Sequence, residues 1–270
     1  NHAAHAPRHV EGALRNQFAG GNADPGAQAR RLAQRCAGAA CGIAMLAMAG
    51  WLEGARFLAG QWGGAIPMAP STALAFLFLG GGLFSHARWF GPRLGRLFAL
   101  ASAGLPAGLG LLALAQFATG FDSGVERTLA RTNELFGHIP LGRMSPLTAA
   151  SFLLESGALM LLLRAARWRF AASLAALLAL AAAAINLVVV VGYAYGAPLL
   201  YGGVTIPVAL PTALAFVLIG AGQIGLALPG VPAARAWRGD SMRGLLLRAF
   251  LPAMLALILL AGWLDVMQPA

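Results

Sequence analysis

Three polar side chains share one face of an apolar segment in the middle of the chain. Thr148, Ser151 and Glu155 follow i, i+3, i+7 spacing, and this spacing places them on one side of an α-helix. An ionised carboxylate in the apolar core of a membrane costs several kcal/mol. We therefore expect the Glu155 carboxyl to face the interior of a helix bundle and to be protonated or strongly hydrogen-bonded. An acid in such a place is a candidate site for a ligand or a signal.

Asn186 is the predicted hydrogen-bond partner of Glu155. It lies at a comparable depth in the next apolar segment, whereas Gln116 and Gln223 are less favourably placed. No Arg, Lys or His falls inside a neighbouring apolar segment, where it could neutralise the acid. Two interpretations stay open at this point: a site that senses a signal, and a purely structural hydrogen bond.

The sequence lacks the residue patterns of catalytic centres and metal sites. The apolar segments contain no Ser/His/Asp arrangement, and the chain has no HExxH motif, no Walker-type phosphate loop and no Cys/His cluster. A membrane-embedded hydrolase or metalloenzyme needs such groups close to one depth. We therefore predict no catalytic residue, no metal ligand and no cofactor within these residues.

The elements that must position Glu155 are membrane-spanning helices. Hydrophobic residues make up 59% of the chain, charged residues 10%, and the mean hydropathy is +0.73, whereas a soluble domain carries about 25% charged residues. A span needs about 20 apolar residues, with about 17 as the lower limit. Seven segments meet this requirement, at about 36–58, 70–86, 97–119, 146–163, 170–193, 207–228 and 245–264.

Three of these segments begin with nearly the same residues. The copies are IPMAPSTALAFLFLG, RMSPLTAASFLLES and IPVALPTALAFVLIG, and aligning them on Thr72, Thr148 and Thr212 separates them by 76 and 64 residues. This spacing fits a repeated unit of two spans. The sequence therefore predicts an all-α, polytopic membrane bundle of seven transmembrane helices, built from three repeated two-helix units.

The same alignment isolates Glu155, which stands where the other copies have Leu79 and Ile219. A Pro lies at or just before each aligned Thr, as it does at the first turn of many helices. Small residues follow in two copies, and such residues let membrane helices approach closely. The motif therefore predicts a helix start followed by a packing face.

Charge predicts the orientation in the membrane. All 19 basic residues are Arg and the net charge is +10. With an N-terminus inside, fifteen Arg fall on the inner side, and the outer side has only Arg56, Arg127, Arg131 and Arg143. This asymmetry indicates a cytoplasmic N-terminus and a C-terminal Ala270 outside. The Arg clusters are short and lie between apolar runs, so the partner they favour is the lipid bilayer and not a nucleic acid.

The chain divides into a polar tail at 1–35, expected to be disordered and cytoplasmic, and a transmembrane domain at 36–270. The predicted outer loops contain Asp122, Tyr195 and Tyr201, which are candidate contacts for a ligand. The Tyr residues also suit an aromatic belt at the membrane interface. Both interpretations of these Tyr residues stay open.

Taken in order, the motifs resemble the N-terminal membrane region of many bacterial sensor histidine kinases and diguanylate cyclases. The segments that carry the resemblance are PMAPSTALAFLFLG, GRMSPLTAASFLLES, YAYGAPLLYGGVTIPVALPTALAFVLIG and RGLLLRAFLPAMLALILLAGWLDV. The similarity covers about 35–268. The chain departs from the family pattern at Glu155 and Ser156, and at Pro211, where the family tends to carry His.

The resemblance implies an eighth span after Ala270, followed by cytoplasmic PAS and kinase or cyclase modules. Seven spans from an inside start also leave the C-terminus outside, on the wrong side for a cytoplasmic output. The chain would then be a sensory input region that passes an unknown small-molecule or membrane-state signal to a histidine kinase, or else to a diguanylate cyclase. Such a protein would form a homodimer through its output domains.

Two other function classes remain. A small-solute transporter or channel also fits a repeated, Pro- and Gly-rich membrane protein, although these repeats all share one orientation. A membrane enzyme is a weaker fit because the catalytic groups are missing. The sequence beyond Ala270 distinguishes the first two classes, since only a sensor continues into a further span and a signalling domain.

Overall fold

The computed structural model describes residues 24–62, 65–88, 94–121, 123–130, 135–136, 139–140, 142–165, 168–196 and 206–231. Its α-helices are α1 (Pro25–Leu52), α2 (Pro70–Arg88), α3 (Leu94–Thr119), α4 (Val125–Ala130), α5 (Pro146–Leu162), α6 (Ala171–Ala194) and α7 (Leu210–Ala227). Short 3-10 turns lie at Arg56–Ala59 and Leu228–Gly230. Two short strands, β1 (Leu135–Phe136) and β2 (Ile139–Pro140), pair antiparallel.

The all-helical architecture predicted from the sequence is confirmed for the described residues, apart from this short strand pair. Six of the predicted segments coincide with long helices, and their bounds differ by at most three residues except in α1, which begins at Pro25 and ends at Leu52 instead of spanning 36–58. The seventh predicted segment, 245–264, lies outside the described residues.

The first helix begins earlier than predicted. Residues 25–35 were expected in a disordered tail, but α1 begins at Pro25 and includes them. The side chain of Asp24 caps the helix by accepting a hydrogen bond from the Gly26 amide at 3.0 Å. Pro at the first position and the Ala, Gln and Arg residues that follow all favour a helix. Residues 1–23 of the predicted tail lie outside the described residues.

Within the described residues, four helices are long and apolar enough to cross a membrane. They are Gly26–Leu52, Leu97–Thr119, Ala171–Ala194 and Leu210–Gly230. Pro146–Leu162 is apolar but shorter, with 17 residues. These lengths and compositions are those of a membrane protein.

The long helices form a closed ring. Each helix packs on the next in the order α1, α2, α3, α5, α6, α7, and α7 packs back on α1. Within the ring, α2, α5 and α7 also pack on one another. These three helices are the ones that begin with the repeated motif. The motif helices therefore meet at the centre of the bundle.

The outer helices carry the exposed apolar side chains. Large apolar residues are exposed on α1, α3 and α6, among them Met45, Leu111 and Leu180. By contrast, α2 and α5, which the structure describes in full, have no large exposed apolar side chain, and α7 has one, Leu214. Such apolar faces suit a lipid environment, because a soluble monomer rarely exposes so large an apolar area.

Three aromatic rings fill the centre of the bundle. Phe76, Phe152 and Phe216 come one from each motif helix, and none is exposed. Their ring centroids lie 4.8, 4.6 and 4.7 Å apart, with interplanar angles of 54–64°. Tilted and edge-to-face pairs at this separation are attractive beyond the area that they bury. The triad joins α2, α5 and α7.

The starts of the motif helices are packed against the connecting segments. Gly60 has a φ of 93°, and a Cβ on it would lie 2.6 Å from Cγ of Pro211 at the start of α7. Gly142 has a φ of 91°, and a Cβ on it would lie 2.7 Å from Cβ of Ala130 and 3.8 Å from Cδ of Pro70 at the start of α2. Both glycines are needed, because a side chain would be strained at this φ and, at Gly60, would overlap the proline ring.

Candidate functional site

The polar face predicted on α5 is present and fully buried. Thr148, Ser151 and Glu155 are at most 3% exposed. Ser145 caps the helix, since its Oγ accepts from the Thr148 amide at 3.1 Å and donates to Thr148 Oγ1 at 2.8 Å. Ser151 Oγ donates to the Leu147 carbonyl at 2.9 Å, one turn back. The hydroxyl groups of this face therefore have partners, and Glu155 is the acid among them.

Asn186 joins α6 to this face through Ser151. Its Nδ2 donates to Ser151 Oγ at 2.9 Å and to the Ala182 carbonyl at 2.9 Å. Both hydrogens of the amide are thus used. The predicted hydrogen bond between Glu155 and Asn186 is wrong, because Ser151 lies one turn nearer the start of α5 and reaches Asn186 instead. Asn186 is buried in the interior, as expected for a polar residue of a membrane helix.

The Glu155 carboxyl instead lies against α7. Its Oε1 is 2.9 Å from the position that a Cβ on Gly220 would take. That position is also 2.9 Å from Ala183 Cβ and 3.1 Å from the Ala179 carbonyl oxygen, both on α6. Small residues on α6 and α7 therefore make the space that the carboxyl occupies. The site lies where α5, α6 and α7 meet.

Gln223 belongs to this site, although the sequence predicts it to be a less favourable partner of Glu155 than Asn186. Its Nε2 donates to the backbone carbonyl of Glu155 at 3.0 Å, and its side chain is fully buried. A signal was available, since Gln223 lies 11 residues after Thr212, close to three helical turns. That spacing puts both on one face of α7, the face that packs inwards.

Five buried oxygens in this region have no hydrogen-bond partner among the described residues. They are both carboxyl oxygens of Glu155, Ser156 Oγ, Asn186 Oδ1 and Gln223 Oε1. Buried polar atoms without partners are rare and costly. The carboxyl oxygens of Glu155 are acceptors, so this group suits a species that brings hydrogens or positive charge. A proton on Glu155, a water molecule or a small cation has that chemistry.

A second polar contact links the connection between α3 and α5 to the starts of two motif helices. Glu126 on α4 accepts a hydrogen bond from the Met144 amide at 2.7 Å, and its carboxylate also lies 3.5 Å from Ser71 Oγ. Arg143 Nε is 3.7 Å from the same carboxylate. From this loop, the sequence predicts Asp122 as a candidate ligand contact. Three acids lie in the loop, and nothing in the sequence distinguishes Glu126 from the other two. Asp122 lies outside the described residues.

Tyr193 has a structural role, whereas no role is assigned to Tyr195 and Tyr201. Tyr193, at the end of α6, donates its hydroxyl hydrogen to the Val208 carbonyl at 2.9 Å and so ties α6 to the segment before α7. Tyr195 is half-buried at the C-terminal cap of α6. Tyr201 lies outside the described residues. Neither the belt nor the ligand-contact interpretation is decided by these positions.

No protein-family model matches the chain, and no curated protein or solved structure is significantly similar to it. The geometry of the α5–α6–α7 junction is therefore the basis for an argument about function.

Proposed function

We propose that this chain is the membrane-embedded sensory input region of a bacterial signal-transduction protein. The observation that carries the proposal is the Glu155 carboxyl, fully buried and without a hydrogen-bond partner among the described residues. Adding or removing a proton or a small ligand at such a group changes the charge inside a tightly packed helix junction. Because the neighbouring helices are in contact there, this change alters their packing. A local event at Glu155 thus becomes a helix movement.

The finer architecture belongs to this proposal. Seven spans would arise from three two-helix units, α1–α2, α3–α5 and α6–α7, followed by the segment 245–264. Equivalent motif positions meet at two junctions, which supports the scheme. Ile219 Cδ1 is 3.7 Å from the Cβ position of Gly80, and Glu155 Oε1 is 2.9 Å from that of Gly220. Ile219 and Glu155 each lie seven residues after the motif Thr of their helix, and Gly80 and Gly220 each lie eight residues after theirs. The two junctions therefore pair the same motif positions.

The orientation is proposed with a cytoplasmic N-terminus in the inner membrane. The split of fifteen Arg against four supports it. With this orientation the starts of α2, α5 and α7, and with them Ser71 and Glu126, face the outside. The output would be a histidine kinase, or secondly a diguanylate cyclase, reached through an eighth span and acting as a homodimer. The motif resemblance supports this step.

A small-solute transporter or channel is the second candidate. The buried polar groups of Ser151, Asn186, Glu155 and Gln223, distributed over α5, α6 and α7, favour it. Against it, the Phe76–Phe152–Phe216 triad fills the centre of the ring with apolar rings. A solute pathway along the central axis would need these rings to separate.

Reading the gene beyond the codon for Ala270 separates the two candidates. The sensory proposal expects one further apolar span and then a PAS, kinase or cyclase sequence. A stop codon directly after Ala270 would contradict it and favour the transporter. Transport assays in liposomes would then be the next step.

A further inference from the structure

A basic cleft lies between the beginning of α1 and the end of α2. It has a volume of about 570 Å³ and is lined by Ala27, Arg30, Arg31, Gln34, Ala87 and Arg88. The four α1 residues follow i, i+3, i+4, i+7 spacing and therefore share one face of the helix. The small side chains of the two alanines leave space in the cleft, and the three guanidinium groups supply its positive charge. Among the described residues, the carboxylate nearest to the cleft arginines in an ion pair is that of Asp24, beside Arg30.

Two of the cleft arginines, Arg30 and Arg88, make weak contacts with other described residues. Arg30 Nη2 lies 3.5 Å from Asp24 Oδ2, but these side chains are 50% and 67% exposed. An exposed ion pair of this kind contributes little and is easily exchanged for a better anion. The Arg88 guanidinium lies 5.9 Å from the centre of the Phe84 ring, a contact that leaves its N–H groups available at the edge. The cleft can therefore offer several donors to one anion.

The cleft also continues into an apolar surface. Met45 and Leu52 on α1 are 57% and 73% exposed, and they lie 18 residues after the cleft residues Ala27 and Gln34, respectively. Eighteen residues are five helical turns, so Met45 and Leu52 lie on the same side of α1 as the cleft. A ligand with an anionic head and an apolar tail matches this sequence of surfaces. A free anion would use only the charged part.

We propose that this cleft binds the phosphate headgroup of an anionic phospholipid, with the acyl chains along the apolar face of α1. Guanidinium groups bind phosphate oxygens through paired N–H donors. Basic pockets between membrane helices on the cytoplasmic side are suited to anionic headgroups. The proposal does not depend on the sensory role of Glu155. It would give the bundle a contact that reports the lipid composition of the membrane.

The test compares two double variants of equal charge. Arg31→Gln/Arg88→Gln removes two cleft arginines, and Arg164→Gln/Arg169→Gln removes two exposed arginines from the connection between α5 and α6. Arg169 is a close control for Arg88, since it also lies over a Phe ring, 4.4 Å from Phe170. Binding of fluorescent short-chain phosphatidylglycerol to the purified chain in neutral detergent is measured by anisotropy. Unlabelled phosphatidylglycerol, phosphatidylcholine and inorganic phosphate are the competitors.

Unlabelled phosphatidylglycerol should compete, and phosphatidylcholine should not. An interfacial Arg contributes about 1 kcal/mol, or about fivefold in affinity, so the cleft variant should bind at least about tenfold more weakly. The control variant should change the affinity less than about twofold. Equal losses in both variants would show a general charge effect and overturn the proposal. Competition by inorganic phosphate as strong as that by phosphatidylglycerol would also overturn it, because the site would then bind a soluble anion. The unfolding temperatures of both variants verify that each is folded.

Discussion

The carboxyl group of Glu155 occupies the space that the missing side chain of Gly220 leaves open. Its Oε1 lies 2.9 Å from the position of a Cβ on that glycine. The other two copies of the motif have buried Leu79 and Ile219 at the position of Glu155. One acid thus replaces the aliphatic side chain found at this motif position in the other copies, and one glycine accommodates it.

Gly220→Ala should destabilise the bundle. The new methyl group would overlap Glu155 Oε1 and lie 2.9 Å from Ala183 Cβ, and overpacking of this kind costs about 1–3 kcal/mol. Thermal unfolding in detergent measures the effect. Gly104→Ala on α3 is the control, since its Cβ would have no atom within 4 Å, and it should be neutral or stabilising. Equal losses of stability in the two variants would contradict the close packing at Gly220.

Phe152→Ala should be among the most destabilising substitutions in the described part of the chain. It removes a fully buried ring and two aromatic contacts, to Phe76 and Phe216, and a buried Phe→Ala change costs about 3–5 kcal/mol. Phe117→Ala on α3, where the ring is 59% exposed, is the matched control and should have a small effect. If the unfolding temperatures of the two variants fell equally, the Phe triad would not be the core of the bundle.

Two buried serines of α5 should respond differently to removal of the hydroxyl group. Ser151→Ala removes the acceptor of Asn186 Nδ2 and should cost about 1–3 kcal/mol, because a buried donor is left without a partner. Ser156 Oγ has no partner among the described residues, so Ser156→Ala should be neutral or stabilising. Denaturant titration of both variants measures the difference. The reverse order of stability would refute this assignment of hydrogen bonds.

Thiol labelling tests the orientation. Single Cys residues placed at Arg93, Arg167 and Arg238 should be protected from an impermeant reagent in intact cells, and those at Asp122 and Tyr201 should react. The native Cys36 and Cys41 are first replaced by Ala. The expectation rests on the distribution of Arg between the two sides. Labelling at position 238 in intact cells is incompatible with a cytoplasmic N-terminus followed by this set of spans.

The helices were largely predictable from the sequence because their signals are local. Apolar length and the Pro-Thr motif place the starts of α2 and α5 correctly. The start of α1 was not found, since the tail was judged by its polarity. The capping side chain of Asp24 and the good helix formers after it decide that boundary instead.

The contacts within the site were predictable only in part. Helical spacing correctly places Thr148, Ser151 and Glu155 on one buried face. Which partner each residue meets depends on the rotation and depth of α6 and α7, and these are set by tertiary packing. For this reason Asn186 was assigned to Glu155, although it bonds to Ser151, and Gln223 was ranked too low. The contact between Glu126 and Ser71 is also tertiary.

The central claim is that Glu155 controls the output of a signalling protein. The most direct test is autophosphorylation of the full-length gene product in lipid nanodiscs, compared between wild type, Glu155→Gln and Glu155→Leu at equal membrane abundance. Glu155→Gln keeps a polar, uncharged group and should retain its output within about twofold, whereas Glu155→Leu should shift the output about tenfold, which corresponds to about 1.4 kcal/mol in a two-state equilibrium. An unchanged output in Glu155→Leu would contradict the claim and reduce Glu155 to a structural residue.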